Sequence, residues 1–212
     1  MLALHILNAS AYLAALICCL TARWQANNFN RQNCEKIMKE TQAALKVVNQ
    51  MQADGVIGRY AIGGAVAATF YPIEPASTFD IDIFIPFEKK PGSFIISLDH
   101  IYSYLLKRGY KAVGEHILIE GWQVQFLPAD DALYNEALLQ ANETEVGGVK
   151  TWVMKAEHLM AIALRTGRGK DLIRIEQFVQ HDAYDPNELN PILTRYNLVE
   201  KWQQFKDKYI GS

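Results

Sequence analysis

Apolar positions Ala43, Ala44, Val47, Val48 and Met51 recur at helical spacing between residues 38 and 54, and Asp54-Gly55 closes the stretch, so the pattern predicts a helix there. The run 59–64, RYAIGG, reads as a short strand ending in a glycine pair, and AVAATFY as the start of a helix. FDIDIFI, 79–85, is a strand stopped by Pro86, and PFEKKPGS is a polar loop. Leu98, Ile101, Tyr102, Leu105 and Leu106 form a helical stripe within 97–110, with Gly109 as its stop. Residues 112–128 predict a β-hairpin around Glu120-Gly121. Asp130 or Asp131 can cap a helix running to about 141, and 144–154 predict a second hairpin turning at Gly147-Gly148. The remainder turns helical over 155–166, 170–181, 187–196 and 198–209, with breaks at Gly167/Gly169, Asp185-Pro186 and Asn197.

Strands joined largely by hairpins, with helices gathered to one side, predict an α+β fold: a small mixed sheet flanked by helices, followed by a C-terminal helical segment. Half of the 212 residues are apolar, enough for one domain with a substantial core. The organisation expected is an N-terminal extension over 1–37, an α/β core over 38–154 and C-terminal helices over 155–212 packed on that core. A formal charge of −2 gives no strong nucleic-acid signature, so any such contact would be local. Cys18, Cys19 and Cys34 all fall in the first 34 residues, which argues against a disulfide framework or a cysteine zinc site and for a reducing compartment.

Residues 2–22, LALHILNASAYLAALICCLTA, contain no Asp, Glu, Lys or Arg and are long enough to cross a bilayer. Arg23, Arg31, Lys36 and Lys39 would then leave the body in the cytoplasm. His5, Asn8 and Ser10 weaken such a span, and the stretch lacks the basic start and cleavage site of a signal peptide. Three readings stay open: a membrane anchor with a cytoplasmic body, a soluble helix, or an upstream extension of a frame that starts at Met38. The localisation expected is cytoplasmic.

Asp80 and Asp82 interrupt an otherwise apolar strand, and residues i and i+2 of a strand share a face. Their Cβ atoms would stand roughly 7 Å apart. Two carboxylates that close repel, and the usual relief is protonation of one or a cation between them. A hard divalent ion such as Mg²⁺ (or Mn²⁺) suits the second case, because it takes carboxylate oxygens and leaves positions for phosphate and water. The plain alternative is that both acids face solvent or pair with Lys or Arg. Gly63-Gly64 sits where a strand gives way to a helix, and backbone N–H groups at such a start favour an anion. Without Cβ atoms a phosphate could come close to that backbone, although a glycine pair is also an ordinary tight turn.

Together AIGGAVAATFY…STFDIDIFI resembles the signature of the nucleotidyltransferase superfold of the polymerase-β type: a hydrophobic strand, Gly-Gly or Gly-Ser, a short helix, then Asp-hydrophobic-Asp. Fifteen residues separate Gly64 from Asp80, and Thr78 also matches many bacterial members. Downstream, KAEHLMAIALRTGRGKDLIRI, 155–175, resembles the segment of minimal, AbiEii-like bacterial nucleotidyltransferases in which a helix precedes Arg-x-Lys-Asp, here Arg168, Lys170 and Asp171. The resemblance spans about residues 40–180. It implies that Gly63-Gly64 and Thr78 hold a nucleoside triphosphate and that Asp80 and Asp82 bind Mg²⁺ and carry catalysis. Arg168 and Lys170 would neutralise the triphosphate. Asp171 would orient Lys170, or merely cap the next helix.

Two positions depart from that pattern. Where the family commonly has a third carboxylate, this chain has Gln125, with Gln123 on the same face; an amide oxygen can still reach a metal but brings no charge and accepts no proton usefully. Glu115 or Glu120 could substitute if the hairpin folded back. The helix before Arg-x-Lys-Asp often carries a lysine, and here that position is Ala163. His116 and His158 read as structural, and TGRGKD is not a P-loop. The function expected is a Mg²⁺-dependent transfer of a nucleotidyl group from an NTP to an acceptor hydroxyl on tRNA, protein or a small molecule. The alternatives are a nucleotide-binding or regulatory member that does not turn over, or a toxin–antitoxin component with an antitoxin partner.

Overall fold

The computed structural model describes residues 28–74, 78, 80–86 and 98–211, with side chains from residue 35 onward. The apolar stretch 2–22 and most of the loop after Pro86 lie outside the described residues. Helix α1 (Asn28–Ala53) begins well before the Met38 expected from its stripe. No Gly or Pro interrupts 28–53, and Ile37 continues the apolar face N-terminal to Met38. The buried stripe is Thr41, Ala44, Leu45, Val48 and Met51; Leu45 joins the expected positions, and Val47 packs on the core from its edge. The helix stops at Gly55, whose φ of +69° suits glycine.

After β1 (Ala61–Ile62), α2 (Gly64–Ala68) and β2 (Asp80–Pro86), the chain forms α3 (Asp99–Lys107), β3 (Lys111–Val113), β4 (His116–Ile119) and β5 (Trp122–Ala129). Then come α4 (Ala132–Leu139), β6 (Asn142–Val146), β7 (Val149–Val153), α5 (Ala156–Thr166), α6 (Gly169–Gln180), α7 (Pro186–Arg195) and α8 (Val199–Phe205), the last running into one π-helical turn at Lys206–Ile210. Two-residue turns at Glu120-Gly121 and Gly147-Gly148, all with positive φ, close the two expected hairpins. A third hairpin, β3–β4, was not foreseen. It turns at Gly114-Glu115, and all three residues of β3 are exposed, so no alternating pattern marked it.

The seven strands order as β3-β4-β5-β2-β1-β7-β6. Two pairings are parallel, β2 with β5 and β1 with β7, and the rest are antiparallel. Helices cover both faces rather than one. On the first face, Trp122 Nε1 donates to Thr41 of α1 at 3.2 Å, and Asn49 of α1 donates to the Lys150 carbonyl at 2.8 Å. On the second face, Phe84 stacks on Tyr134 of α4, with ring centroids 5.2 Å apart. The period of two separates these layers along β2: Ile81, Ile83 and Ile85 bury toward the α1 face, while Asp80, Asp82 and Phe84 point the other way. Among the described residues, no helix is long and apolar enough to cross a membrane.

Asp131, one of the two candidates for the α4 cap, occupies the N-cap and accepts from the amides of Leu133 and Tyr134 at 2.9 and 3.0 Å. It also accepts from Arg165 Nη2 at 2.8 Å, tying α4 to α5. Asp131→Ala should cost about 1–2 kcal/mol in urea denaturation, and Asp131→Asn, which keeps a capping oxygen, clearly less. Equal losses in the two variants would place the stabilisation in the Arg165 pair and not in the cap.

Candidate functional site

The parallel register of β2 and β5 sets Asp80 opposite Gln123 and Asp82 opposite Gln125. Both acids and both amides therefore share the face that looks toward α4 and α5. On the next strand the antiparallel register carries on outward: Leu118 lies opposite Gln123, and one step further His116 falls beside Gln125. The row Asp82, Gln125, His116 thus crosses three strands on one face. The position of His116 in this row comes from strand register, which the sequence does not display.

On the other edge of β2, the Gly63 N–H donates to the Asp82 carbonyl at 2.9 Å. That donor is consequently committed to the sheet and does not point at a ligand. Gly63 has a packing reason to be glycine, since a methyl group there would strike the Phe84 ring. Gly64 has another: its φ is +61°, and a methyl group would collide with Oδ2 of Asp82. Helix α2 has only five residues, so its dipole supplies little of the anion attraction expected of a longer helix. What the glycine pair provides is room for the Phe84 ring and the Asp82 carboxylate themselves, which pack directly against the turn.

A pocket of about 260 Å³ opens on this face. Gly64, Asp82, Gln125, Arg168 and Asp171 line it together with Phe84, Tyr134, Ile162 and Ala163. Five of the expected positions thus converge there, although Gly63, Thr78, Asp80 and Lys170 are outside its lining. Thr78 Oγ1 donates to the Asp80 carboxylate, which holds that side chain at the start of β2. Lys170 is exposed, and its charge still reaches Asp82. Ala163, at the position of the absent lysine, contributes only wall.

Asp171 is neither the cap of α6 nor a partner of Lys170. The N-cap is Arg168, and Asp171 sits in the first turn with its side chain 3% exposed. It accepts from Arg168 Nε at 2.6 Å and Nη2 at 3.4 Å, and Arg174 Nη1 stands 3.6 Å away. Arg174 is the pocket-lining residue that sequence reasoning missed. Its place three residues after Asp171 was a readable signal for a shared helix face, but its burial comes from the docking of α6.

Burial, and then the charge of Asp80, raise the pKa of Asp82 above the ordinary carboxylate range; Arg174, Lys170 and His116 oppose that shift without cancelling it. Burial lowers the pKa of Arg174, against the pull of Asp171 and Asp82. Glu120 and Glu115 do not stand in for a third acid. Glu120 accepts from Tyr110 at the hairpin tip, and Glu115 is exposed at the β3–β4 turn. Among the described residues no group of three His, Cys, Asp or Glu side chains is placed to hold a metal. The available donor set is two carboxylates and the Gln125 amide oxygen, all hard oxygen ligands. It would suit a hard divalent cation such as Mg²⁺. His158, fully buried, instead contacts Glu136 at 3.2 Å, in a cluster with Arg195 and Tyr196 behind α4.

One solved structure, an antigenic nucleotidyltransferase-like protein from Paracoccidioides brasiliensis, is similar over 82% of this chain and 94% of its own, with a TM-score of 0.50 and 17% sequence identity. The chain therefore has a nucleotidyltransferase-like fold. No sequence-family model matches it, and no curated protein does.

The contact between Gly64 and Asp82 can be measured as a coupling. Gly64→Ala should cost more than the roughly 1–2 kcal/mol that left-handed backbone alone demands of a residue with a side chain. In an Asp82→Ala background the collision is gone and only the backbone cost remains, so the same substitution should cost less there. Equal costs in both backgrounds, by urea denaturation, would show that the turn does not press on Asp82.

Proposed function

We propose that this chain is a nucleotidyltransferase, moving a nucleotidyl group from an NTP to an acceptor hydroxyl with Mg²⁺ (or Mn²⁺). The observation that carries the reading is the meeting of Asp82 with the glycine turn at Gly64 in a pocket also lined by Arg168, Asp171 and Arg174. Asp80, Asp82 and the amide oxygen of Gln125 are the residues that would hold the metal. Bound there, Mg²⁺ would neutralise phosphate oxygens and orient the attacking hydroxyl. The acceptor hydroxyl gives its proton to water, its oxygen bonds to the α-phosphorus, the bond from that phosphorus to the leaving oxygen breaks, and pyrophosphate departs. The chain's own contribution is position and charge: Gly64 lets the turn pack directly against the Asp82 carboxylate, and Arg168 and Lys170 supply positive charge at the edge of the site. The narrower likeness to AbiEii-like enzymes rests on Arg168, Lys170 and Asp171.

A second reading has its own support, the neutral Gln125 opposite Asp82. With no third carboxylate to take the hydroxyl's proton, the same pocket would bind nucleotide without efficient transfer.

Thermal unfolding of the full chain with Mg²⁺ and each NTP tests both. Ligand at a hundred times its Kd adds about 2.7 kcal/mol, a Tm rise of roughly 5–10 °C for a domain of this size. The rise should need Mg²⁺ and vanish in Asp80→Asn/Asp82→Asn. Stabilisation without release of pyrophosphate across a panel of acceptors would favour the binding reading. Absence of any Mg²⁺-dependent shift at millimolar NTP would sink both.

A further inference from the structure

Arg174 is a mostly buried cation that the protein leaves with an unpaired donor. Its side chain is 11% exposed. Its Nε–H has no hydrogen-bond partner among the described residues, and the ion pair to Asp171 is long, 3.6 Å. A guanidinium carries five N–H donors and does not give up its proton. Native proteins rarely leave a buried donor of such a group unmet.

Asp171 does not meet the demand. Its carboxylate is taken by Arg168, whose guanidinium is 62% exposed and yet makes the short 2.6 Å bond. Two arginines share one buried carboxylate, so the α6 wall of the pocket keeps one net positive charge. If Arg174 existed to anchor Asp171, the close, two-pronged contact would belong to it and not to its solvent-exposed neighbour. Across the pocket Asp82 feels Arg174 through space, but the two form no ion pair among the described residues. The cavity is therefore polarised, with a cation on α6 across from the Asp82 carboxylate on β2.

We propose that Arg174 is the buried anion-binding residue of this pocket, its Nε–H and unused Nη–H groups taking oxygens of a phosphate chain. This rests on reading the pocket as a nucleotide site, and it adds a residue that the Arg-x-Lys-Asp segment does not contain. Phosphate is the ligand class because the anion must sit between a guanidinium fork and a pair of acids. A polyphosphate does so by offering oxygens to the fork on one side and to a hard cation on the other. Arg168 and Asp171 act as positioning residues, with Asp171 fixing the approach of both guanidiniums.

The test is calorimetric titration of the full chain with inorganic tripolyphosphate in the absence of divalent metal. One equivalent should bind, and Arg174→Met should weaken it at least tenfold. Arg174→Lys keeps the charge without the fork. It should fall between the two, and it serves as the second variant if the methionine form does not fold, in which case weakening relative to wild type is the expected result. Asp82→Asn should tighten metal-free tripolyphosphate a few-fold, by removing a repelling charge, while weakening Mg²⁺–NTP. A merely structural Arg174 would lower the ligand-free Tm and leave the tripolyphosphate Kd where it was. Unchanged Kd in folded Arg174→Met or Arg174→Lys, or no binding by wild type, overturns the proposal. The two readings fail separately. If tripolyphosphate binds through Arg174 but Mg²⁺–NTP gives no shift, the transferase reading falls and this one stands. If Mg²⁺–NTP stabilises Arg174→Met as it does wild type, the reverse holds.

Discussion

The 2.9 Å hydrogen bond from the Gly63 N–H to the carbonyl of Asp82 fastens the turn between β1 and α2 to the acidic strand. Everything at the pocket mouth depends on that closeness. With the backbones in contact, no side chain fits at 63 because Phe84 is there, and none at 64 because the Asp82 carboxylate is there. The left-handed φ of Gly64 then turns the chain away from β2 into α2. Two glycines with different steric reasons thus produce one result, a turn packed directly against Phe84 and the Asp82 carboxylate. The parallel pairing of β2 with β5 fixes the other edge, since it places Gln125 directly across from Asp82.

Charge in the site is distributed unevenly for a physical reason. Asp80 and Asp82 lie on one face two residues apart, and burial plus mutual repulsion push Asp82 toward its protonated form. The opposing cations sit on α6, which comes from a distant part of the sequence and crosses the pocket from the other side. Lys170 is exposed and Arg168 is mostly exposed, whereas Arg174 is buried. Solvent screens the first two far more than the third, so Arg174 is the cation whose field the pocket retains.

Much of the fold was legible in the chain because its signals are local. Glu120-Gly121 and Gly147-Gly148 are two-residue turns between apolar runs, and both hairpins form where expected. The four C-terminal helices fall close to their predicted limits because glycine, Asp-Pro and Asn punctuate them. Signals that depend on tertiary context were not legible. Nothing between Asn28 and Met38 marks or forbids a start, so the beginning of α1 could not be read. β3 is short and exposed, and it pairs only because β4 is beside it. At the site, Asp80, Asp82 and Gln125 could be assigned to one face from a period of two, but the neighbours His116 and Arg174 could not. His116 required the β4–β5 register, and an arginine on an amphipathic helix reads as solvent-facing until the helix is docked. Asp171 shows the same limit: its place after a glycine-rich break suggested a cap, whereas the docked helix uses it to hold two guanidiniums.

Gln125 and Arg174 can be understood as two sides of one balance. Neighbouring strands lie about 4.8 Å apart, so a carboxylate in place of Gln125 would press a third negative charge against Asp82, in a position where burial already disfavours ionisation. The neutral amide avoids that repulsion and still offers an oxygen. The cost is a site with fewer charges to attract a hard cation, and Arg174 reduces the local negative potential further. A second divalent ion would therefore find little to hold it, while a phosphate chain would find a fixed cation ready. Gln125 thus limits the negative charge on the strand face, while Arg174 sets a positive charge across from it.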